Sequence, residues 1–238
     1  MDKSRISEED TVGAQGNSAR HGVFITFEGT DGVGKSTQVK LLSRHLESQG
    51  VSCLCLHEPG HTELGERIRG LLLARDSAPI SALSELFLFE AARAQLVEEV
   101  VLPALDRGEV VLSDRFYDST SAYQGYGRGI DPATIDRLNE LACNGVVPDR
   151  TVLLTLDAQR ALERACAASP DGQADRMEGA GLAFQKRVQE GFESIRAAEP
   201  QRVRKVDAKG APDEVAARVF FVLEDLFPGV PAPKKEVE

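Results

Sequence analysis

The sequence is short of the residues that would announce several classes of protein. It has no tryptophan, three tyrosines and ten phenylalanines, so aromatics make up only 5% of its 238 residues. Basic residues are also in deficit: 28 Lys and Arg stand against 38 Asp and Glu, a formal net charge of −10. A field of that sign repels nucleic acid and anionic membranes and excludes both as partners held by general charge. An anionic ligand must instead be held locally, by backbone amides and a few arginines. No run approaches the roughly 18 apolar residues of a membrane-spanning helix. Cysteine is limited to Cys53, Cys55, Cys143 and Cys166. The C-x-C pair lies in an apolar stretch with no second pair at zinc spacing, which reads as buried free thiols in a reducing cytoplasm. The opening residues, MDKSRISEED, lack the apolar core of a secretory signal.

What is present suits one folded domain. Hydrophobic residues make up 42% of the chain, enough for a sizeable core. Residues 1–21 are polar, charged and small, and residues 228–238 (PGVPAPKKEVE) are rich in proline and charge. Both are expected to be disordered tails around a domain spanning 22–227. Within it, strand and helix patterns alternate. GVFITFEG, VSCLCLHEP, EVVLSD, RTVLLTLD and RVRKVDA read as strands. KSTQVKLLSRHLESQG, the long segment SALSELFLFEAARAQLVEEVVLPALDRG with a disturbance at Pro103, DPATIDRLNELACNG, GLAFQKRVQEGFESIRAA and APDEVAARVFFVLEDLF read as helices. Alternation of this kind predicts an α/β fold: a five-stranded parallel sheet with helices on both faces and ligands at the carboxyl ends of the strands.

The motifs fall at those ends. FEGTDGVGKST contains G-x-x-x-x-G-K-S between a strand and a helix, the context a phosphate-binding loop requires. Backbone N–H groups of Gly29, Thr30, Asp31, Gly32, Val33, Gly34, Lys35, Ser36 and Thr37 can close around phosphate oxygens, and the helix N-terminus adds its dipole. Lys35 is placed to bridge the β- and γ-phosphates and Ser36 to ligate Mg²⁺, which points to a nucleoside triphosphate such as ATP. Asp114 ends an apolar strand, a second candidate for Mg²⁺, although an aspartate there equally suits a turn. Arg115 follows it and fits either a bidentate phosphate clamp or a surface ion pair. Phe89 and Arg93, at i and i+4, share a helix face. Spacing alone favours a core ring and a surface arginine, while the pair also suits stacking and hydrogen bonding on a planar base. STSAYQGYGRG offers Tyr123, Gln124 and Arg128, and its glycines suggest a mobile loop. SPDGQADRMEG, about residues 168–178, reads as a lid from which Arg176 can swing onto a transferring phosphate.

Together these segments resemble the bacterial thymidylate kinases over roughly residues 22–227. The similar stretches are the P-loop with Asp31 at its middle, HEPGHTELGERIR, LFLFEAARAQL, SDRFYDSTSAYQGYGRGI and ADRMEG. The resemblance implies a P-loop kinase that transfers the γ-phosphoryl group of ATP to dTMP, with Mg²⁺, on the route to dTTP. It implies that Phe89 stacks on thymine, Arg93 donates to a thymine carbonyl, Arg115 grips the acceptor phosphate and Tyr123 closes on the deoxyribose. Asp31 is expected near the reacting phosphates, with Glu58, Thr120 and Gln124 on the acceptor side. The family's habit implies a homodimer. The sequence departs from the family's usual pattern at His57 and His61, where arginine and glycine are common, and in a lid region whose only arginines are Arg164 and Arg176. His57 is expected to do part of an arginine's work on the acceptor phosphate. Two other readings compete: a different nucleoside or nucleotide kinase, and a regulatory ATP-binding module.

Overall fold

The computed structural model describes residues 22–74, 79–168 and 181–233. Five strands form one parallel sheet: β1 (Val23–Glu28), β2 (Cys53–His57), β3 (Val110–Asp114), β4 (Arg150–Thr155) and β5 (Val203–Asp207), in the order β2-β3-β1-β4-β5. The central strand, β1, is flanked on both sides, Phe27 facing Asp114 of β3 and Val152 of β4. Ile25 and Phe27 point to one face, where they pack with Leu42, Leu46, Val219 and Phe220. Phe24 points to the other, against Leu96, Val101 and Phe116. A strand buried on both faces explains why it reads as an unbroken apolar run.

The chain passes from β1 through the glycine loop into α1 (Lys35–Ser48), which starts at a left-handed Gly34 with φ 96°. After β2 come α2 (Glu63–Leu73) and α3 (Ala82–Leu96). The long helix is disturbed as expected, but one turn before Pro103: Val97–Val101 winds as a wider π turn before α4 (Leu102–Asp106). The proline lacks the N–H that an uninterrupted helix would need, and the wider turn takes up the mismatch.

After β3 the structure corrects an expectation. STSAYQGYGRG is not a mobile loop: α5 (Tyr117–Thr120) runs into a π-helical segment, Ser121–Gly127, that buries Tyr123 and Gln124. Its glycine serves close packing. A Cβ on Gly127 would lie 2.6 Å from the Phe184 ring, and one on Gly191 of the facing helix would lie 2.9 Å from Tyr126. α6 (Pro132–Cys143), α7 (Ala158–Ala168), α8 (Leu182–Ala198) and α9 (Pro212–Phe221) complete the layers. Asp131 caps α6 by accepting from Thr134 N at 3.0 Å.

The C-terminal boundary also shifts. Val230 packs on the core beside α1 and α9, and the Pro231 carbonyl lies 2.8 Å from His45 Nε2. The remainder of the expected C-terminal tail (234–238), the N-terminal tail (1–21) and nearly all of the expected lid, with Arg176, lie outside the described residues. No described helix is long and apolar enough to cross a membrane.

Candidate active site

The glycine loop leaves the carboxyl end of β1, between β3 and β4. This is where the order of connections reverses and a crevice opens. A cavity of about 1000 Å³ runs along it, lined by loop residues Asp31–Thr37 and by His57, Asp114, Arg115 and Arg164. Lys35 is buried and turned back over the loop. Its Nζ donates to the carbonyls of Gly29 at 3.2 Å and Thr30 at 3.0 Å, and lies 3.8 Å from Asp31 Oδ1. Burial and the neighbouring Arg115 lower its pKa, against the pull of Asp31 and Asp114. Ser36 Oγ donates to Asp114 Oδ2. A hydroxyl and a carboxylate are thus side by side at the start of α1, a hard oxygen pair of the kind Mg²⁺ takes.

A smaller cavity of about 100 Å³ opens on the other side of Arg115. Phe89, Arg93, Phe116, Thr120, Tyr123 and Gln124 line it, so α3 and the segment after β3 deliver the expected base-side residues to one place. Asp31, Glu58, Arg69 and Arg115 line both cavities and mark their junction.

Arg93 is not a surface residue. It is 1% exposed, and its Nη2 lies 2.5 Å from Glu58 Oε1 and donates to Thr120 Oγ1 at 2.8 Å. Its Nη1 donates to Glu90 Oε2 at 2.8 Å and Asn139 Oδ1 at 3.0 Å. Two buried carboxylates hold its pKa up despite the cost of burial. Burial in turn pushes Glu58 up to about 7, against the pull of Arg93. At the junction, Arg115 Nη2 lies 2.5 Å from Asp31 Oδ1 and 3.3 Å from Tyr123 Oη, and Tyr123 Oη donates to Asp31 Oδ2 at 3.2 Å. Burial alone would raise the Asp31 carboxyl, but Arg115 and Lys35 hold it at about 2.

His57, expected to face the acceptor site, lines the phosphate-loop cavity and not the base-side one. Its ring is stacked over Gly60 and its Nε2 lies 2.8 Å from Glu66 Oε1, which also accepts from His61 N at 2.7 Å. Gln124 Nε2 donates to Glu85 Oε1 at 2.8 Å, and Arg128 reaches the same carboxylate, which turns Arg128 away from the cavity.

Sequence reasoning assigns no role to three residues at the site, although Glu28 and Arg69 lie within two of the motif stretches. Arg69 follows the buried Gly65 by one helical turn on α2, donates to the Pro59 carbonyl at 2.9 Å and faces the junction. Asn139 follows the buried Ile135 by one turn on α6. Glu28 is a charged residue ending an apolar strand and is wholly buried. A polar residue on an otherwise core-facing stripe is the signal each leaves in the sequence.

Burial, with a smaller contribution from Asp118, pushes the Glu28 carboxyl up to about 8, with Arg115 opposing. A folded pKa above the unfolded value of about 4.3 means the native state holds a proton that the unfolded chain releases. Stability from this group is therefore present below about pH 4 and falls as pH rises toward 8. The melting temperature of the ligand-free protein should drop from about pH 5 to pH 8, and Glu28→Gln should flatten that drop. Equal slopes in the two proteins would contradict it.

A phosphate loop facing a second, base-sized pocket across a shared pair of cations defines a class: P-loop kinases that phosphorylate small nucleotides. Comparison with known proteins narrows it. Residues 27–219 match the family described as Thymidylate kinase. A thymidylate kinase of Synechococcus sp. (strain JA-2-3B'a(2-13)) is 49% identical over 206 residues, covering 87% of this chain and 96% of that protein. One from Chlorobaculum parvum is 44% identical, covering 86% and 96%. A crystal structure of thymidylate kinase from Ehrlichia chaffeensis superposes with a TM-score of 0.70 at 35% identity, over 85% of this chain and 98% of that one. The chain belongs to the thymidylate kinase family, whose members are ATP-dependent nucleoside monophosphate kinases.

Proposed function

We propose that this chain carries the γ-phosphoryl group of ATP to dTMP, giving ADP and dTDP, and that Arg115, at the junction of the two cavities, receives the acceptor phosphate. The position of Arg115 carries this reading: it lines both the phosphate-loop cavity and the base-side cavity, within reach of Lys35's carboxylate partner, Asp31. The acceptor is already a phosphate oxygen, so the chain's task is positioning and charge neutralisation. The loop amides and Lys35 bind the donor phosphates. Lys35 and Arg115 then meet the charge developing on the transferred group, with Arg164 and Arg176 as further candidates from the lid side. Asp31 lies between Lys35 and Arg115 and holds both near the reacting oxygens until the phosphates arrive.

Ser36 and Asp114 would hold Mg²⁺, which supplies charge neutralisation between the donor phosphates when bound. Phe89 gives a stacking face for thymine, and the buried guanidinium of Arg93, fixed by Glu58, Glu90 and Thr120, donates to a base carbonyl. Thr120 and Gln124 border the same pocket, Tyr123 bounds the sugar, Arg69 at the junction flanks the acceptor phosphate, and His57 approaches it from the phosphate-loop cavity. Exposed Leu64 and Leu71 on α2, and Leu83 and Phe87 on the adjoining α3, support a homodimer, and the family is in keeping with a cytoplasmic enzyme.

A panel of monophosphates tests the acceptor. Coupled ADP release should be fastest with dTMP and at background without an acceptor. Equal kcat/KM for AMP, GMP or CMP would overturn the assignment, and release independent of any acceptor would favour a regulatory ATPase.

A further inference from the structure

Arg115 occupies a backbone conformation that few side chains adopt. Its φ is 75°, in the left-handed region, which is strained for a residue with a side chain and persists only where the surroundings enforce it. Two of the contacts that enforce it are made by the backbone of Arg115 itself: its N–H donates to the Phe27 carbonyl at 2.9 Å, and its carbonyl accepts from Ser113 Oγ at 2.7 Å. The guanidinium is held by the Gly29 carbonyl at 3.1 Å, by Asp31 and by Tyr123, and a further set of contacts converges on one side chain. Glu28 Oε1 accepts from Phe116 N at 2.8 Å and Ser119 N at 3.3 Å, and its Oε2 lies 2.6 Å from Ser119 Oγ. Ser119 Oγ in turn accepts from Arg115 Nη1 at 2.9 Å. One carboxyl thus ties down the turn that follows the arginine and, through Ser119, one arm of its guanidinium.

We propose that Glu28 is a positioning residue for Arg115, fixing the left-handed turn and the guanidinium that the acceptor phosphate meets. The proposal rests on the reading of Arg115 given above. Glu28 does not touch either cavity, and its contacts to the turn are all hydrogen bonds. Its neighbours in charge are Asp118, Arg115 and, more remotely, Lys35. Burial favours the neutral carboxyl at pH 7. Oε1 accepts both N–H groups and Oε2 accepts from Ser119 Oγ; a glutamine keeps the carbonyl acceptor and can set its amide N–H on Ser119 Oγ instead. The role is therefore one of geometry rather than charge.

The experiment compares Glu28→Ala, Glu28→Gln, Ser119→Ala, Arg115→Ala and the double variant Glu28→Ala/Arg115→Ala. KM for dTMP, KM for ATP, kcat and melting temperature are measured for each. Glu28→Ala should raise KM for dTMP about tenfold or more and lower kcat, with KM for ATP within about twofold. Ser119→Ala should show about a third of that effect, and Glu28→Gln should restore the wild-type value to within about threefold. In the Arg115→Ala background, Glu28→Ala should add nothing. Effects of the two substitutions that multiply, or a KM for ATP that rises along with that for dTMP, would overturn the proposal. So would a folded Glu28→Ala protein with wild-type constants. If Glu28→Ala does not fold, Ser119→Ala decides: an unchanged KM for dTMP overturns the proposal. An unchanged KM for dTMP in Arg115→Ala would instead remove Arg115 from the acceptor site and the proposal with it. That result is distinguishable, because it appears in the arginine variant alone.

Discussion

Lys35→Ala should lower kcat by on the order of 10²–10³ while leaving the protein folded. The ammonium is buried, tethered to the Gly29 and Thr30 carbonyls, and already aimed along the loop before any nucleotide arrives. Preorganised charge of this kind requires no rearrangement when the transferring group becomes more negative, which is why its removal acts on kcat more than on binding. The fold should tolerate the change. Lys35 is the first residue of α1, its aliphatic stem contributes little to the core, and the loop is held by its own backbone and by Val33, which is buried in the main apolar cluster. The measurement is steady-state ADP release beside a thermal melt. Turnover near wild type in a folded Lys35→Ala protein would remove the lysine from the mechanism.

Arg93→Ala should damage the protein on two counts. Arg93 is the shared cation of Glu58 and Glu90, all three of them buried. Removing one partner of a buried ion pair commonly costs about 3–5 kcal/mol, because the other is left uncompensated. At roughly 2–4 °C per kcal/mol for a chain of this size, the melting temperature should fall by roughly 10 °C. The loss has a sign with pH. Burial already raises the Glu58 carboxyl to about 7 with Arg93 present, and without it the carboxyl rises further. Below about pH 7 Glu58 escapes the penalty by taking up a proton, so the defect should be smallest there and grow toward alkaline pH. The second count is catalytic: the base pocket loses a donor whose partner is desolvated, so kcat/KM for dTMP should fall at least about tenfold in any protein that remains folded. Arg93→Lys retains a charge but not the planar fork that reaches Glu58, Glu90, Thr120 and Asn139 together, so it should recover stability more than substrate use. An Arg93→Ala protein with unchanged melting temperature at pH 8 would contradict the assigned ion-pair network.

Much of the fold was legible because its signals are local. The order of strands and helices follows from apolar periodicity, and an unbroken run such as VFITFE demands a strand covered on both faces. The glycine loop was legible for the same reason: a phosphate-binding backbone needs glycine at set spacings, whatever surrounds it. Chemistry on the acceptor side was only half legible. Phe89 and Arg93 can be placed on one face of a helix from their spacing, but spacing cannot say whether that face meets solvent or a buried carboxylate.

Where the reading departed from the structure, packing between distant segments was responsible. Gly127, in a segment whose glycines suggested mobility, lets Phe184 of α8 sit against the backbone, and Gly191 on α8 does the same for Tyr126, an arrangement set by a helix some 60 residues further along. Val230, in a stretch whose composition suggested disorder, packs partly buried against the main apolar cluster, a contact made to residues far from it in the chain. The sequence by itself determined the layer architecture, the donor-phosphate loop and the family, since each is written in residues close together in the chain. Only the tertiary structure decided which charges are shared: that Arg115 spans two cavities, that Arg93 balances two buried glutamates, and that Glu28 ties the turn behind the acceptor arginine. Arg93–Glu90 apart, these pairings join residues far apart in the chain, and their energies are set by burial, which no local pattern records.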